Sequence, residues 1–444
     1  MKSRKILKKV LIVSRAFPPI NASGAIRVGK LAKYLSDFGW EPIVLTVKNM
    51  GRLQGSLPVE INPKNIVRIP YFDLSHSLMQ LVGDNEAGNG DDRSDICIKS
   101  KLLAILQKLG VIIYNLSIFE KILPQPIGWY FPARRVSRRI IKGQKFDAIF
   151  SSYSPSASHF IASYLQRKTH VPWIAEFRDL WSLNPYSRVS NPLQFLRRQT
   201  EKNVLKNSCL LVSTSDQGAH QLKELHGKET AVIFNGFDEE DYMETVPLCP
   251  KFTITYVGNL YSRKRDPTTL FQALKRLREE GRVTSDNLVV RYFGNDLERF
   301  VSPLIQKYQL QDIVTVHGFV PFREAIRRQK ESTVLLLLEW DNPSAKDIYT
   351  GKIFEYLGAR RPILAIGYKS GVIDKLLSKS GTGILVNEVE GMNNILSCWL
   401  EEWHKSKEIS SYWRPNINII QRYGRKEQAK QLAQLLDKFS EPNK

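Results

Sequence analysis

The stretch DIYTGKIFEYLGARRPILAI combines a helical pattern with side chains that helix packing alone does not require. If the helix begins near Thr350, the backbone N–H groups of Gly351 and Lys352 have no intrahelical acceptor and attract an anion. Glu355 lies one turn further along and can accept hydrogen bonds from sugar hydroxyls, whereas Asp347 lies on the loop before the helix. The stretch therefore predicts a site for an anionic ligand that also carries hydroxyl groups.

Two glycine-containing loops each follow a predicted strand in one half of the chain. In FPPINASGAIRVGKL, Gly24 stands at a helix entrance, where a glycine lets the backbone approach an anion closely. In GNLYSRKRDPTTL, Gly258 precedes three consecutive cations, Arg263, Lys264 and Arg265. If the two loops face each other, their charge can hold a diphosphate. Which of the three cations points inward stays open.

Ionisable residues also end a predicted strand in AEFRDLWSLNPY, where Arg178 and Asp179 follow Glu176. The carboxyl ends of parallel strands are where open α/β sheets bind ligands. This placement favours a functional role, while a buried Arg–Asp pair that closes the loop is the alternative.

A basic run, FPARRVSRRIIKGQK, places its cations on consecutive turns of a predicted helix. The span from Lys121 to Phe146 contains no acidic residue, and an apolar amphipathic segment precedes the run. Such a surface is suited to anionic lipid, although a solvated helix face has the same pattern. The arginines concerned are Arg134, Arg135, Arg138 and Arg139.

Length and charge restrict the class of protein further. With 444 residues the chain exceeds the usual single-domain size, and 65 Lys+Arg against 44 Asp+Glu give a net charge of +21. That excess indicates an anionic partner: nucleic acid, anionic lipid or a phosphorylated small molecule. The four cysteines are far apart and have no metal-ligand spacing, which is typical of a reduced, cytoplasmic protein. No apolar run of 18 residues occurs and no secretory signal is recognisable.

Apolar strands alternate with helical patterns twice along the chain, as in KVLIVSRAF, WEPIVLTV and FDAIFSS, and again from KFTITYVGN onward. Fully apolar strands separated by helices predict an α/β fold with parallel sheets. We therefore predict two Rossmann-like domains facing each other across a cleft, spanning residues 1–240 and 241–420. Residues 421–444 form a C-terminal helix that we expect to pack back on the first domain, and roughly residues 73–130 are an insertion.

Several kinds of site are disfavoured by the sequence. The first strand-to-helix loop is neither G-x-G-x-x-G nor a Walker A loop, and the second strand ends without a ribose-binding acid, which argues against an NAD enzyme. Neither an Asp-x-Asp pair nor a clustered histidine set occurs, so we predict no metal site. The basic run ARRVSRRIIKGQK contains no aromatic residue, which argues against single-stranded nucleic acid as the partner.

These motifs together resemble the retaining family-4-type (group 1) glycosyltransferases, which have a GT-B fold, over nearly the whole chain. The resemblance is carried by FPPINASGAIRVGKLAKYL, FNGFD, YVGNLYSRKRDPTTLFQAL and VTVHGFVP. Its most specific part is DIYTGKIFEYLGARRPILAI, in which relatives have two glutamates with seven residues between them and this chain has Asp347 and Glu355.

The resemblance implies that Glu355 binds the ribose hydroxyls of the donor and that Asp347 contacts the transferred sugar. It also implies that the basic loop neutralises the diphosphate leaving group. Many relatives have arginine where this chain has Asn259, so we expect Arg263 and Lys264 to take that role. Many also have histidine near the position of Arg178, and this chain has the Arg-Asp-Leu-Trp variant instead.

The resemblance thus implies a retaining hexosyltransferase without a cofactor, whose first domain binds the acceptor and whose second domain binds a UDP- or GDP-linked sugar. The acceptor is expected to be lipid-linked or a glycan of a bacterial surface polysaccharide. The enzyme is expected to be cytoplasmic and peripheral on the inner face of the plasma membrane, with no nucleic acid as partner. Alternatives are a GT-B-fold sugar-nucleotide epimerase and a basic nucleic-acid-binding protein.

The predicted site residues fall into three groups. The catalytic set is Asp347, Lys264, Arg263 and Asp179; the donor-binding set is Glu355, Gly351, Lys352, Thr350, Gly24 and Gly258; the acceptor or membrane set is Arg178, Arg134, Arg135, Arg138 and Arg139.

Overall fold

A computed structural model describes residues 7–48, 55–71, 126–184, 191–260 and 264–440. Most of the predicted insertion and the candidate residue Arg263 lie outside the described residues. The chain divides into two compact units, one formed by Met1–Ile233 with Ala429–Lys444 and the other by Phe234–Gln428. The first unit thus includes the chain up to Ile233 and again from Ala429 onward.

The first unit is built on a parallel sheet with the strand order β3-β2-β1-β4-β5-β6-β7. Its strands are β1 (Lys8–Val13), β2 (Trp40–Val47), β3 (Ile66–Ile69), β4 (Ala148–Tyr153), β5 (Trp173–Phe177), β6 (Leu210–Ser213) and β7 (Thr230–Val232). Its helices are α1 (Ser23–Leu35), α2 (Ile127–Gly143), α3 (Ala157–Thr169), α4 (Asn191–Leu205) and α5 (Asp216–His226). β4 and β5 are buried along their whole length and β1 along its last four residues, as their apolar runs predict.

The second unit repeats this plan with the strand order β10-β9-β8-β11-β12-β13, again all parallel. The strands are β8 (Phe252–Val257), β9 (Leu288–Phe293), β10 (Val314–His317), β11 (Val334–Leu338), β12 (Ile363–Ile366) and β13 (Gly383–Leu385). The helices are α6 (Thr268–Glu279), α7 (Glu298–Tyr308), α8 (Phe322–Lys330), α9 (Gly351–Ala359), α10 (Val372–Ser380), α11 (Val389–Ser406) and α12 (Ile417–Gln421).

In the second unit, separate apolar clusters lie on helices that flank the sheet. One contains Leu274 of α6 and Trp399 of α11, and the other contains Phe354 of α9 and Leu377 of α10. In both units the order of strands places the first strand-to-helix loop near the middle of the carboxyl edge, where the direction of strand order reverses. The prediction of two Rossmann-like α/β domains is confirmed, and the edge of each sheet that can carry a site is defined.

The last helix, α13 (Arg425–Ser440), begins in the second unit and ends in the first. Ala429, Leu432 and Leu436 are fully buried in the core of the first unit, and Lys8 of β1 forms an ion pair with Asp437 at 2.8 Å. None of the helices in the described part of the chain is long and apolar enough to cross a membrane.

Candidate active site

Helix α9 begins with an open N-terminus, as the sequence predicts. Its N-cap residue, Thr350, places no side-chain oxygen on the first-turn N–H groups, and Gly351 is exposed. The Thr350 hydroxyl instead accepts a hydrogen bond from Nη2 of Arg265 at 3.3 Å. The N–H groups of the first turn are therefore left for water or an anion.

The side chain of Lys352 turns toward the end of β8 and fills the space beside Gly258. A Cβ added at Gly258 would lie 1.9 Å from Cε and 2.5 Å from Nζ of Lys352. Gly258 has φ +138°, a conformation that residues with a side chain rarely adopt. The Nζ atom also lies 5.5 Å from the ring centroid of Tyr256. The glycine is therefore required both by its backbone and by the lysine that occupies its face.

Arg265 lies in the same place and is held by a carboxylate at the end of β11. Its Nη2 lies 3.3 Å from Oε1 and 3.4 Å from Oε2 of Glu339, and its Nη1 donates to the carbonyl oxygen of Asn259 at 3.2 Å. Both side chains are mostly buried, with 12% and 13% of their surfaces exposed. Arg265 therefore links the described part of the basic loop to the start of α9.

The electrostatics of this cluster lower the proton affinity of its lysine. Burial, followed by the charge of Arg265, lowers the pKa of Lys352 to about 8, although Glu339 and Glu355 act in the opposite direction. Burial also raises the pKa of Glu339, and Arg265 and Lys352 oppose that rise. A second anion beside these two cations would remove their mutual repulsion, so the cluster is suited to a diphosphate.

Glu355, the second acid of the segment DIYTGKIFEYLGARRPILAI, lies on α9 and accepts a hydrogen bond from the amide of Gln329 at 3.4 Å. Burial raises its pKa, and the charge of Lys352 opposes that rise. The carboxyl group thus has a weak partner and keeps acceptor capacity for hydroxyl groups.

Tyr356 fixes the helix to the sheet behind these residues. Its hydroxyl accepts from the N–H of Val257 at 3.2 Å and donates to the carbonyl oxygen of Leu336 at 3.1 Å. The pairing of β8 with β11 ends at Thr255 and Leu335, and the tyrosine hydroxyl bonds to backbone groups of Val257 and Leu336 beyond that point. The orientation of α9, and hence of Lys352, therefore depends on a buried side-chain bridge.

The other predicted catalytic residues of the second unit are placed less centrally. Asp347 is partly buried on the loop before α9 and forms no hydrogen bond or ion pair with any described residue. Lys264 is exposed and its Nζ lies 4.5 Å from the ring centroid of Trp340. Their roles stay predictions.

In the first unit, the strand end of β5 carries a fully buried ion pair. Arg27 of α1 donates from Nε and Nη2 to Oε1 of Glu176 at 2.9 and 2.7 Å, and the Ser152 hydroxyl donates to Oε2 at 2.6 Å. Both side chains of the pair are 0% exposed. The hydrogen bonds that Glu176 accepts thus come from Arg27 and Ser152, while its charge still raises the pKa of the neighbouring Arg178 against the effect of burial.

Arg178 points at Gly24 on the first turn of α1. A Cβ added at Gly24 would lie 1.4 Å from Nη1 of Arg178. Its Nε donates to the Ser152 hydroxyl at 3.0 Å and its Nη2 donates to the carbonyl oxygen of Ser154. Asp179 is exposed and makes no hydrogen bond to a described residue. Gly24 and Arg178 are thus adjacent in the structure, although the sequence predicts Gly24 as a donor-binding residue and Arg178 as a residue of the acceptor or membrane side.

The basic run forms helix α2, in which two of the four predicted arginines lie against an aromatic ring of α3. The guanidinium carbons of Arg134 and Arg138 lie 4.4 and 5.1 Å from the ring centroid of Tyr164 on α3, and Nε of Arg138 donates to its hydroxyl. Arg135 and Arg139 are exposed. Phe131, in the same helix, exposes 60% of its surface. The surface is thus basic with an exposed aromatic ring.

Replacing Gly258 by alanine is expected to lower the free energy of unfolding by about 1–3 kcal/mol, because the new Cβ meets Lys352 and the backbone keeps a strained φ. Urea unfolding measures this change. Gly351→Ala is the matched control: a Cβ there has no described heavy atom within 4 Å, and alanine favours a helix by up to about 1 kcal/mol. Equal stability of the two variants would show that Lys352 does not occupy the face of Gly258.

Sequence reasoning missed Glu339, Gln329 and Tyr356, and it assigned only the backbone of Lys352 to the site. Glu339 directly follows the buried strand β11, which is the same signal that singled out Glu176. The orientation of Tyr356 and Gln329 depends on helix packing, for which the local sequence has no comparable signal.

Comparisons with known proteins agree with this architecture. Residues 99–241 match the model of Glycosyltransferase Family 4. Among solved structures, sucrose-phosphate synthase from Thermosynechococcus elongatus is 17% identical, with 97% of this chain and 98% of that chain covered and a TM-score of 0.58. Anabaena HepE in complex with UDP is 16% identical, with 97% and 100% covered and a TM-score of 0.59. No curated protein sequence matched the chain.

A glycosyltransferase from Rickettsia africae is also similar, with 14% identity, 98% of this chain and 99% of that chain covered, and a TM-score of 0.59. At such identities the structural likeness concerns the fold, and it extends over nearly the full length of each chain. The family model matches a segment, residues 99–241, rather than the greater part of the chain. The chain therefore has the GT-B fold of these glycosyltransferases over nearly its full length, and one segment of it is similar to Glycosyltransferase Family 4.

Proposed function

We propose that this enzyme is a retaining glycosyltransferase that moves a sugar from a nucleotide-sugar donor to a lipid-linked or glycan acceptor, in the synthesis of a bacterial surface polysaccharide. The observation that carries the proposal is the convergence of Lys352 and Arg265 at the open N-terminus of α9. Two cations and free N–H groups stabilise a diphosphate as it leaves the sugar. Glu355 is then the acceptor for ribose hydroxyls.

In the proposed reaction the bond between the anomeric carbon and the diphosphate oxygen breaks, and a bond from the acceptor oxygen forms on the same face. The acceptor's proton passes to the departing phosphate oxygen. Lys352 and Arg265 hold the negative charge that develops, and the protein supplies position rather than a covalent intermediate. Since these cations carry the charge, we propose that turnover needs no metal and is unchanged by EDTA.

UDP is the first nucleotide to test, because HepE, with the same fold, was crystallised in complex with UDP. GDP-linked sugars are the second choice. Purified protein is incubated with a panel of UDP- and GDP-sugars, binding and slow hydrolysis are measured, and the anomeric configuration of any glycoside product is read by NMR. An inverted product would contradict the retaining mechanism.

The same panel separates the alternatives. A sugar-nucleotide epimerase would convert its nucleotide sugar into an epimer without any acceptor, which NMR detects directly. A nucleic-acid-binding protein would bind DNA with a steep salt dependence and no nucleotide sugar. Either outcome would overturn the proposed function.

For the acceptor side, we propose that α2 rests on the anionic inner face of the plasma membrane. Arg135 and Arg139 are exposed there together with Phe131, and Phe195 and Leu196 on α4 expose 61% and 48% of their surfaces. Cations attract the headgroups, and exposed apolar side chains enter the interface. The proposal requires a peripheral, cytoplasmic enzyme.

Replacing Arg135 and Arg139 together by alanine is expected to weaken binding to phosphatidylglycerol-containing vesicles roughly tenfold or more, since each cation near the surface contributes about 1 kcal/mol. Vesicle flotation measures this binding. The matched control replaces Arg167 and Lys168, which are exposed on α3, and removes the same charge. Equal losses in the two double variants would assign the binding to net charge rather than to α2.

A further inference from the structure

A cavity of about 360 Å³ lies in the first unit, between the sheet and the C-terminal ends of α2 and α3. Its base is formed by Leu11 and Ile149, which are 0% and 2% exposed. These two residues are register partners in the neighbouring strands β1 and β4, so their side chains point to the same face of the sheet. The other apolar walls come from Ile141, Phe146 and Val171. Phe146 and Val171 precede β4 and β5, so the cavity lies toward the amino ends of these strands, away from the carboxyl edge.

The uncharged polar groups that line the cavity already have partners in the protein. Oε1 of Gln144 accepts a hydrogen bond from Nζ of Lys9 at 3.3 Å. The hydroxyl of Thr169 donates to the carbonyl oxygen of Leu165 at 2.9 Å. A buried water molecule needs about three polar partners, which these walls do not readily supply. Since an apolar cavity of about 150 Å³ stays dry and binds benzene, a cavity of about 360 Å³ has room for a longer hydrocarbon chain.

The rim of the cavity is positively charged. Lys145 lines the cavity, is exposed, and forms no hydrogen bond or ion pair with any residue that the structure describes. Lys142 in the last turn of α2 and Lys168 in the last turn of α3 are exposed as well. The acid that follows them in the chain, Asp147, accepts from the backbone N–H of Lys9 at 2.6 Å. An apolar cavity with a cationic rim is complementary to a molecule that joins a hydrocarbon chain to an anionic group.

We propose that this cavity binds an acyl chain of an anionic phospholipid and that Lys145 contacts the headgroup of the same lipid. The proposal rests on the membrane placement of α2 in the proposed function, which supplies the lipid. Helix α2 connects the two features, because Ile141 in the cavity wall follows the exposed Arg139 by two residues, about 3 Å along the helix axis. A lipid bound in this way anchors the enzyme by a buried chain in addition to the charge of α2.

Binding is measured by calorimetry with three soluble probes: dihexanoyl-phosphatidylglycerol below its micelle concentration, dihexanoyl-phosphatidylcholine, and glycerophosphoglycerol, which is the headgroup without chains. Val171→Phe fills the cavity and keeps every charge. Ile141→Phe fills it from the α2 side and keeps the test valid if Val171→Phe does not fold. The matched control is Val59→Phe, because Val59 is 39% exposed in the same unit and does not line the cavity. Thermal unfolding of each variant accompanies the titrations.

We expect wild type to bind dihexanoyl-phosphatidylglycerol and not the headgroup alone. Val171→Phe should raise the Kd for this lipid at least tenfold, whereas Val59→Phe should leave it unchanged. Lys145→Met should raise the Kd for the phosphatidylglycerol about fivefold and leave the Kd for the phosphatidylcholine unchanged. Lys223→Met, the same substitution at an exposed position of α5, is the control for this charge.

The acyl-chain site is overturned if wild type does not bind dihexanoyl-phosphatidylglycerol, or if it binds glycerophosphoglycerol equally tightly. It is also overturned if both cavity-filling variants fold and keep the wild-type Kd. Equal losses in Lys145→Met and Lys223→Met would remove the headgroup contact from Lys145. Vesicle binding that does not need Arg135 and Arg139 would contradict the placement of α2 but not the cavity, which the soluble lipid tests by itself. A wild type that binds this lipid and no nucleotide sugar would overturn the proposed reaction while the lipid site stands.

Discussion

Replacing Lys352 by methionine is expected to lower turnover with the cognate nucleotide sugar by about 10²-fold or more while the protein stays folded. That is the scale of losing one preorganised stabiliser of developing negative charge. Methionine retains the length and apolar stem of lysine, so the space beside Gly258 stays filled and only the charge is removed. Steady-state kinetics measure the effect, and thermal unfolding verifies the fold.

The control for this variant is Lys375→Met, the same substitution at an exposed position of α10. Lys264→Ala provides the contrast, because the sequence pattern assigns Lys264 to the leaving group and predicts a ~10²-fold loss for it as well. If Lys352→Met turned over at the wild-type rate, the cluster at the start of α9 would not be the diphosphate site. A large loss in Lys264→Ala alone would return that role to the basic loop.

Much of the fold could be predicted because the inner strands of both sheets are mostly apolar and alternate with amphipathic helices. The two edge strands of the first sheet, β3 and β7, are short. β7 is only partly buried, so its sequence lacks the continuous apolar run that marks an inner strand. Edge strands are less buried, so they lack the long apolar runs from which a strand is predicted.

The sequence predicts which helices and loops form the site, but it does not predict how their side chains are oriented. The open start of α9 follows from local sequence, since Thr350 and Gly351 precede an apolar helical pattern. That Lys352 turns onto Gly258 follows from packing between segments far apart in the chain, which no local pattern encodes. The same holds for Arg178 and Gly24, whose proximity reflects the parallel order of β1, β4 and β5.

The affinity of the enzyme for UDP is expected to be nearly constant between pH 7 and 7.5 and to fall as pH rises through about 8. Burial lowers the pKa of Lys352 to about 8, so the free enzyme loses this positive charge in a range where the diphosphate of UDP no longer titrates, its last pKa being about 6. Calorimetry should give a decrease approaching tenfold per pH unit above 8. Lys352→Arg stays charged throughout and should flatten the profile.

Deprotonation of Lys352 should raise the free energy of unfolding, although it lowers the affinity for UDP. The pKa of Lys352 is lowered in the folded protein from the ordinary 10.5 to about 8, so between these values the unfolded chain binds more protons. The free energy of unfolding therefore gains from this residue as pH rises across that window, while UDP affinity declines. Other alkaline groups, such as Tyr153 with its pKa raised by burial to about 12, are common to wild type and Lys352→Met and cancel in their difference. If that difference is independent of pH from 7 to 10 and wild-type affinity is flat over the same range, Lys352 is not the group whose charge holds the diphosphate.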